Sequence, residues 1–143
     1  MRPSDPFAAF RFVVEINGTL EGGFSEATGF EAETEVEDRN EGGINEYVHR
    51  LAKHTKYPNL SLKRGITLDT TLWEWHQRVV SGSVERKTIA VILRGAQQQE
   101  LWRWVFQDAW PVKWSGSGLN ATNNQVFVES VDFAHQGMSK VAV

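Results

Sequence analysis

Apolar and polar residues alternate along most of this chain, and helical spacing is confined to one segment. Phe10, Phe12, Val14 and Ile16 alternate with Arg11, Val13 and Glu15, the period of a half-buried strand. Asn17-Gly18 follows, a dipeptide whose tolerance of positive φ suits a two-residue hairpin turn. The chain is expected to return through Thr19 and Leu20 toward Phe24, with a bulge or bend at Gly22-Gly23. Phe30 to Glu37 alternates again, Glu41-Gly42-Gly43 makes a turn, and Ile44 to Leu51 reads as extended. Ala52 to Tyr57 reads as irregular and polar, and Leu60 to Arg64 as a short strand launched by Pro58-Asn59.

One segment is helical. Leu72, Trp75, His76 and Val79 form a single stripe. Asp69 or Thr71 can cap its start, Thr71 and Glu74 have capping-box spacing, and Gly82 ends it. Strands resume at Lys87 to Arg94 and at Glu100 to Phe106, joined by a polar turn over Gly95 to Gln99. Trp102, Trp104 and Phe106 share one face of the second, opposite Arg103, Val105 and Gln107. Trp110 to Trp114 is extended but holds Pro111, which marks an edge or a bend. A loop at Ser115 to Gly118 and a last strand from Val126 to Phe133 complete the reading. The pattern predicts a mainly β protein: an antiparallel sandwich or barrel with one helix at its side.

Size and composition narrow the class. At 143 residues the chain fits a single domain, 1–143, able to bury roughly two-thirds of its unfolded surface. Its 41% hydrophobic and 23% charged residues place it among globular rather than disordered chains. The net charge of -3 argues against a dedicated nucleic-acid binder. With no cysteine, disulfides and thiolate metal sites are excluded, which fits a reducing compartment. Residues 1–7 lack the apolar run of a signal peptide, and no segment has the length and apolarity of a membrane span. Synthesis in the cytoplasm without stable membrane insertion is the expectation.

Candidate chemistry is sparse. His49 and His54 are five apart, which suits neither a helical nor a strand metal pair. His76 lies on the helical stripe and reads as a partly buried, hydrogen-bonded packing residue. No nucleophile elbow, P-loop or dinucleotide fingerprint is present. The expectation is therefore no catalytic residue, no metal and no cofactor, hence no enzyme. Six tryptophans are many for this length: Trp73, Trp75, Trp102, Trp104, Trp110 and Trp114. About half suit core packing, while Trp110 and Trp114 flank a proline and are candidates for a subunit boundary. A glycan-binding platform is the competing use of these rings.

The most distinctive feature is an abrupt change of charge sign. Residues 31–46 carry Glu31, Glu33, Glu35, Glu37, Asp38, Glu41 and Glu46 against a single Arg39. The following stretch to Gly65 carries Arg50, Lys53, Lys56, Lys63 and Arg64 and no acid. On a strand, the glutamates at alternate positions would form a comb on one face. The comb reads as a solvated edge-strand face that blocks aggregation, or as one half of a docking device. In the second reading an acidic arm (Glu33, Glu35, Glu37, Asp38, Glu41) meets a basic arm (Arg50, Lys53, Lys56, Lys63, Arg64) of neighbouring copies.

Lys56-Tyr-Pro-Asn-Leu-Ser-Leu-Lys-Arg-Gly65 carries a family resemblance, as do Gly22-Gly-Phe-Ser-Glu26, Glu41-Gly-Gly-Ile-Asn45, Leu72-Trp-Glu-Trp75 and Ala109-Trp-Pro-Val-Lys-Trp-Ser-Gly116. In this order the chain resembles the tube proteins of contractile phage tails and phage-tail-like injection systems. The resemblance runs from Pro6 to about Gly137. It implies a β-barrel-like fold shared with the tube protein of type VI secretion, and hexameric rings stacked into a hollow tube inside a contractile sheath. Sheath contraction would propel the tube through a target membrane. Implied partners are further copies of the chain, a sheath protein, a baseplate hub or tube initiator, a tape-measure protein, a terminal cap and effector cargo in the lumen. The segment at about 36–57 corresponds to an extended arm reaching the adjacent ring. A tube-initiator or baseplate-adaptor paralogue is the nearest alternative, and a glycan-binding sandwich a more distant one. Whether the comb, or Arg11, Val13 and Glu15, lines the lumen is left open by the sequence.

Overall fold

A computed structural model describes residues 11–40 and 48–141. Residues 1–7, Phe10, the Glu41 turn and the start of the Ile44 strand lie outside the described residues. The elements in chain order are β1 (Arg11–Ile16), β2 (Thr19–Glu21), β3 (Phe24–Thr28), β4 (Glu33–Asn40), β5 (Val48–Lys56) and β6 (Leu60–Gly65). Then follow α1 (Thr71–Val80), β7 (Lys87–Arg94), β8 (Glu100–Gly116), β9 (Val128–Ala134) and β10 (Met138–Val141). The main sheet runs β2-β1-β7-β8-β9-β6-β3, with β10 added to β8, and every pairing is antiparallel.

β8 holds the architecture together. Sequence pattern splits it into two strands and a loop, yet Glu100–Gly116 is one strand of 17 residues. Its first part pairs with β7 and β10, its second with β9. Asp108 takes φ 50 at the junction, and the register slips between Pro111 and Lys113. A bulged strand bends and twists, so one strand can serve two half-sheets that face each other. The core fills the space between them: Val14, Ile16, Ile89, Val91 and Phe106 from one side, Leu60, Leu62, Val131 and Phe133 from the other.

Helix α1 closes the side. Trp75 is fully buried against Phe133, with ring centroids 5.3 Å apart, and its Nε1 donates to the Glu85 carbonyl at 2.8 Å. Burial of such a ring contributes on the order of 2–3 kcal/mol once its N–H is paired. The helix start differs from the capping box expected at Thr71. Thr70 occupies the N-cap position and its hydroxyl reaches Glu74 at 3.1 Å, while Asp69 accepts from the Thr71 amide at 3.0 Å. Gly82, at φ 99, follows the helix end as expected. His76 is half-buried, but its Nδ1 has no hydrogen-bond partner, contrary to the reading of a bonded packing residue. The β1–β2 turn is as read, with φ 49 at Asn17 and 79 at Gly18.

β4 and β5 pair only with each other and form a separate two-stranded ribbon. This corrects two expectations. Ala52 to Lys56 is strand, not irregular chain, because a ribbon exposed on both faces needs no apolar alternation. The comb is shorter than four, since Glu31 precedes β4 and its amide bonds to the Gly29 carbonyl at 2.9 Å. At the chain's end, the last strand is not Val126–Phe133 but is followed by β10.

Candidate assembly surfaces

The ribbon register sorts the charged arms into two faces. Glu33, Glu35 and Glu37 share one face with Leu51, His54 and Lys56; Thr34, Val36 and Asp38 share the other with Arg50, Ala52 and Thr55. Between Thr34 and Val36 the ladder slips, because β5 carries one residue more there. The ion pairs of this region close within one chain. Glu35 is paired with Lys56 and lies 3.4 Å from His54, Asp38 lies 3.4 Å from Arg50, and Glu37 lies 4.0 Å from Arg39. The Lys56 ammonium holds the Glu35 carboxyl below the ordinary carboxylate range, and Glu35 in turn raises Lys56. Lys63 lies 3.7 Å from Glu26 on the neighbouring β3. Lys53 is exposed and makes no ion pair among the described residues.

Arg64 is placed quite differently from an exposed docking residue. It is 2% exposed, on the inward face with Leu60 and Leu62. Its Nε donates to Glu129 Oε1 at 2.7 Å, and Glu129 is itself 3% exposed. Trp114 Nε1 donates to the other Glu129 oxygen at 2.8 Å, and the Arg64 guanidinium lies 5.0 Å from the Phe24 ring centroid. Nη1 donates to the Gly22 carbonyl at 3.3 Å and lies 3.6 Å from Asp69 and 3.9 Å from Glu21. Three carboxylates thus converge on one guanidinium. Burial raises the Glu21 carboxyl above its ordinary value, the Asp69 charge adds to this, and Arg64 only partly offsets both. Hydrogen bonds from Thr71 lower Asp69. Arg64 therefore belongs to an internal cluster, because its strand parity turns it into the core.

Beside this cluster lies a groove of about 300 Å³ lined by Ile66, Thr67, Asp69, Thr70, Trp73, Trp114 and Glu129. Trp73 and Trp114 meet edge to face with centroids 4.7 Å apart. Leu68, within the same segment, is 100% exposed, and Trp73 is 41% exposed. Trp114 thus packs on the core from a groove wall, while Trp110 is half-buried under the Arg86 guanidinium, 5.8 Å away. Trp102 is exposed on β8, with Lys140 4.8 Å from its ring.

The outward face of the β8-β9-β6-β3 half-sheet is hydrophilic, with small hydroxyl side chains interleaved with charged ones. Ser115, Ser130, Lys63 and Glu26 form one row across the strands, and Lys113, Asp132, Ser61 and Thr28 the next. Arg11, Val13 and Glu15 face outward from the other half-sheet. There Glu15 is tied to Arg103 at 3.1 Å, and Arg103 also donates to Glu100 at 2.7 Å. Among the described residues no three metal-ligating side chains come together, and no helix is long and apolar enough to cross a membrane.

A projecting ribbon, open strand edges at β2, β3 and β10, and an apolar groove are features through which proteins meet proteins. They give the chain a surface suited to contact with other proteins. The chain belongs to the T4-like virus tail tube protein gp19 family, whose pattern matches residues 8–139. No curated protein sequence is significantly similar to it. Among solved structures it is similar to a chain of the anti-feeding prophage baseplate, with 24% identity over 96% of this chain and 97% of that one and a TM-score of 0.81. It is also similar to a chain of the sheath-tube complex of an extracellular contractile injection system, PVC, in the extended state. There the identity is 20% over 99% and 95% of the two chains, with a TM-score of 0.87. Hcp1 from Flavobacterium johnsoniae shares the fold more loosely, at 14% identity over 90% and 93% and a TM-score of 0.54.

Proposed function

We propose that this chain is the structural subunit of the inner tube of a contractile, phage-tail-like injection system. Copies close into hexameric rings, the rings stack into a hollow tube, and a surrounding sheath drives that tube through a target membrane on contraction. The match of the tail tube family to residues 8–139 carries this reading. The role is mechanical and not catalytic. Lateral contacts use the open edges β2, β3 and β10, whose unpaired backbone groups gain partners when rings close. Trp110 and its covering Arg86 are a candidate for this boundary.

The β4–β5 ribbon is the arm toward the next ring. Glu35–Lys56 and Asp38–Arg50 stiffen it from within, which leaves apolar contacts and Lys53, without an ion pair among the described residues, to make the junction. The hydrophilic face around Ser115, Ser130 and Lys63 suits a lumen wall, since hydrated polar side chains present no apolar patch to passing cargo. Length is set by partners, because head-to-tail stacking has no end of its own. A tape-measure protein, a terminal cap and a baseplate hub or initiator fill those roles. Assembly follows synthesis in the cytoplasm.

Negative-stain microscopy of the purified full-length chain tests the reading. Hexameric rings or stacked tubes are expected, and stack length separates a main tube from an adaptor ring. A chain that stays monomeric at the highest attainable concentration defeats it.

A further inference from the structure

β2 is held weakly by its backbone. It has only three residues, sits at the sheet edge, and is in register with β1 alone. Gly22 and Gly23 follow it, with φ 83 at Gly23, and a Cβ at either would meet open space. A short edge strand thus ends in a glycine hinge. Glu21, its last residue, reaches from there into the carboxylate cluster at Arg64.

That cluster joins β2, β6, β9 and the segment before α1, and it is short of positive charge. Arg64 commits its Nε to Glu129 at 2.7 Å, and Trp114 fills the other Glu129 oxygen. Arg64 Nη1 bonds the Gly22 carbonyl at 3.3 Å and stands 3.6 Å from Asp69. It lies 3.9 Å from Glu21, too far for a hydrogen bond. Lys87 on β7 is the other cation facing Glu21 and has the smallest effect on it, being placed over the Trp75 ring at 4.8 Å and 3.9 Å from Glu85. Burial first, and then the Asp69 charge, favour the neutral form of Glu21, and a neutral carboxyl can donate to Asp69. Asp69 is set up to accept. Hydrogen bonds from Thr71 favour its ionised form and engage only Oδ1, which leaves Oδ2.

We propose that Glu21 and Asp69 hold one proton between them, and that this proton clasps the β2 edge to the segment leading into α1. Without it two carboxylates face each other beside a guanidinium already engaged, and β2 relieves the repulsion by swinging out at Gly22-Gly23. Loss of the proton frees one open edge of the sheet while the core stays folded. Glu21, raised on folding, favours closure fully below its unfolded value of 4.5 and loses that effect as pH rises through the folded value. Asp69, lowered on folding, favours closure fully above 3.8 and loses that effect as pH falls through its own folded value. Closure is therefore greatest between 3.8 and 4.5, and a neutral solution meets the alkaline limb.

Hydrogen exchange of the full-length chain, corrected for the intrinsic pH dependence of exchange, reads the opening. The β2 amides bonded to β1 should open up to about tenfold more often per pH unit between 4.5 and the folded Glu21 value, while those of β7 stay unchanged. Glu21→Gln keeps a neutral donor toward Asp69, so its β2 should stay closed over the same range. Carboxyl NMR separates a shared proton from burial alone, since Asp69→Asn should bring the Glu21 titration down toward 4.5. Wild-type β2 exchange that ignores pH, or that rises equally in Glu21→Gln, overturns the clasp. A Glu21 titration that stays in place in Asp69→Asn overturns the shared proton.

Discussion

Arg64 obeys the same alternation as its neighbours: Leu60, Leu62 and Arg64 point inward while Ser61 and Lys63 point out. The adjacent pair Lys63 and Arg64 therefore has opposite fates, one exposed beside Glu26 and one buried against Glu129. Removing one partner of a buried pair leaves the other charged and desolvated, so Arg64→Ala should cost about 3–5 kcal/mol. In the same denaturation series Glu21→Gln should shift stability the other way at neutral pH. A carboxyl raised in the folded state resists ionisation there, so its cost is absent below the unfolded value of 4.5 and grows as pH rises through the folded value. The stabilising effect of Glu21→Gln should accordingly vanish in acid. Parity was readable in the sequence and could have flagged Arg64 as internal. Its partner Glu129 could not be found that way, because 65 residues separate the two and only the β6–β9 register brings them together.

Elements were legible where one face is buried. β1, β6 and α1 follow their apolar spacing because each lays one side on the core, while β7 is buried on both faces from Ile89 to Ile92 and reads as a continuous apolar run. The ribbon and β8 were harder for opposite reasons. β5 has no core side to impose a pattern, and β8 changes partners midway, so its bend mimics a strand end. The turn from β3 toward the ribbon rests on Gly29, at φ 108, where an added Cβ would lie 2.3 Å from the Asn59 carbonyl oxygen. Next to it, Phe30 anchors the corner on Trp104, centroids 4.6 Å apart. Gly29→Ala combines a disfavoured backbone with a backbone clash, so it should destabilise by about 2 kcal/mol or more in chemical denaturation. Gly22→Ala meets open space and should stay within about 0.5 kcal/mol. Equal costs at the two glycines would contradict this account of the corner.

For the whole molecule, the decisive question is whether opposite charges meet within a chain or between chains. The sequence showed the sign change but not the topology, and a ribbon folded back on itself satisfies Glu35 and Asp38 before any second copy arrives. Charge exchange separates the two cases. Glu35→Lys and Lys56→Glu should each weaken assembly when present alone, since each leaves like charges facing across the ribbon. Combined in one chain they restore an opposite pair on the same ribbon, and tube formation should recover. Mixed as two single variants they place the matching charges on different molecules, and recovery should fail. Sedimentation of the assembled fraction reads all four samples, and the deficits should shrink at 1 M salt, where charges are screened beyond about 3 Å. Rescue by the mixture but not by the double variant would place the pairing between copies. The charged arms would then be the junction itself, and the ribbon would owe its rigidity to the neighbouring ring.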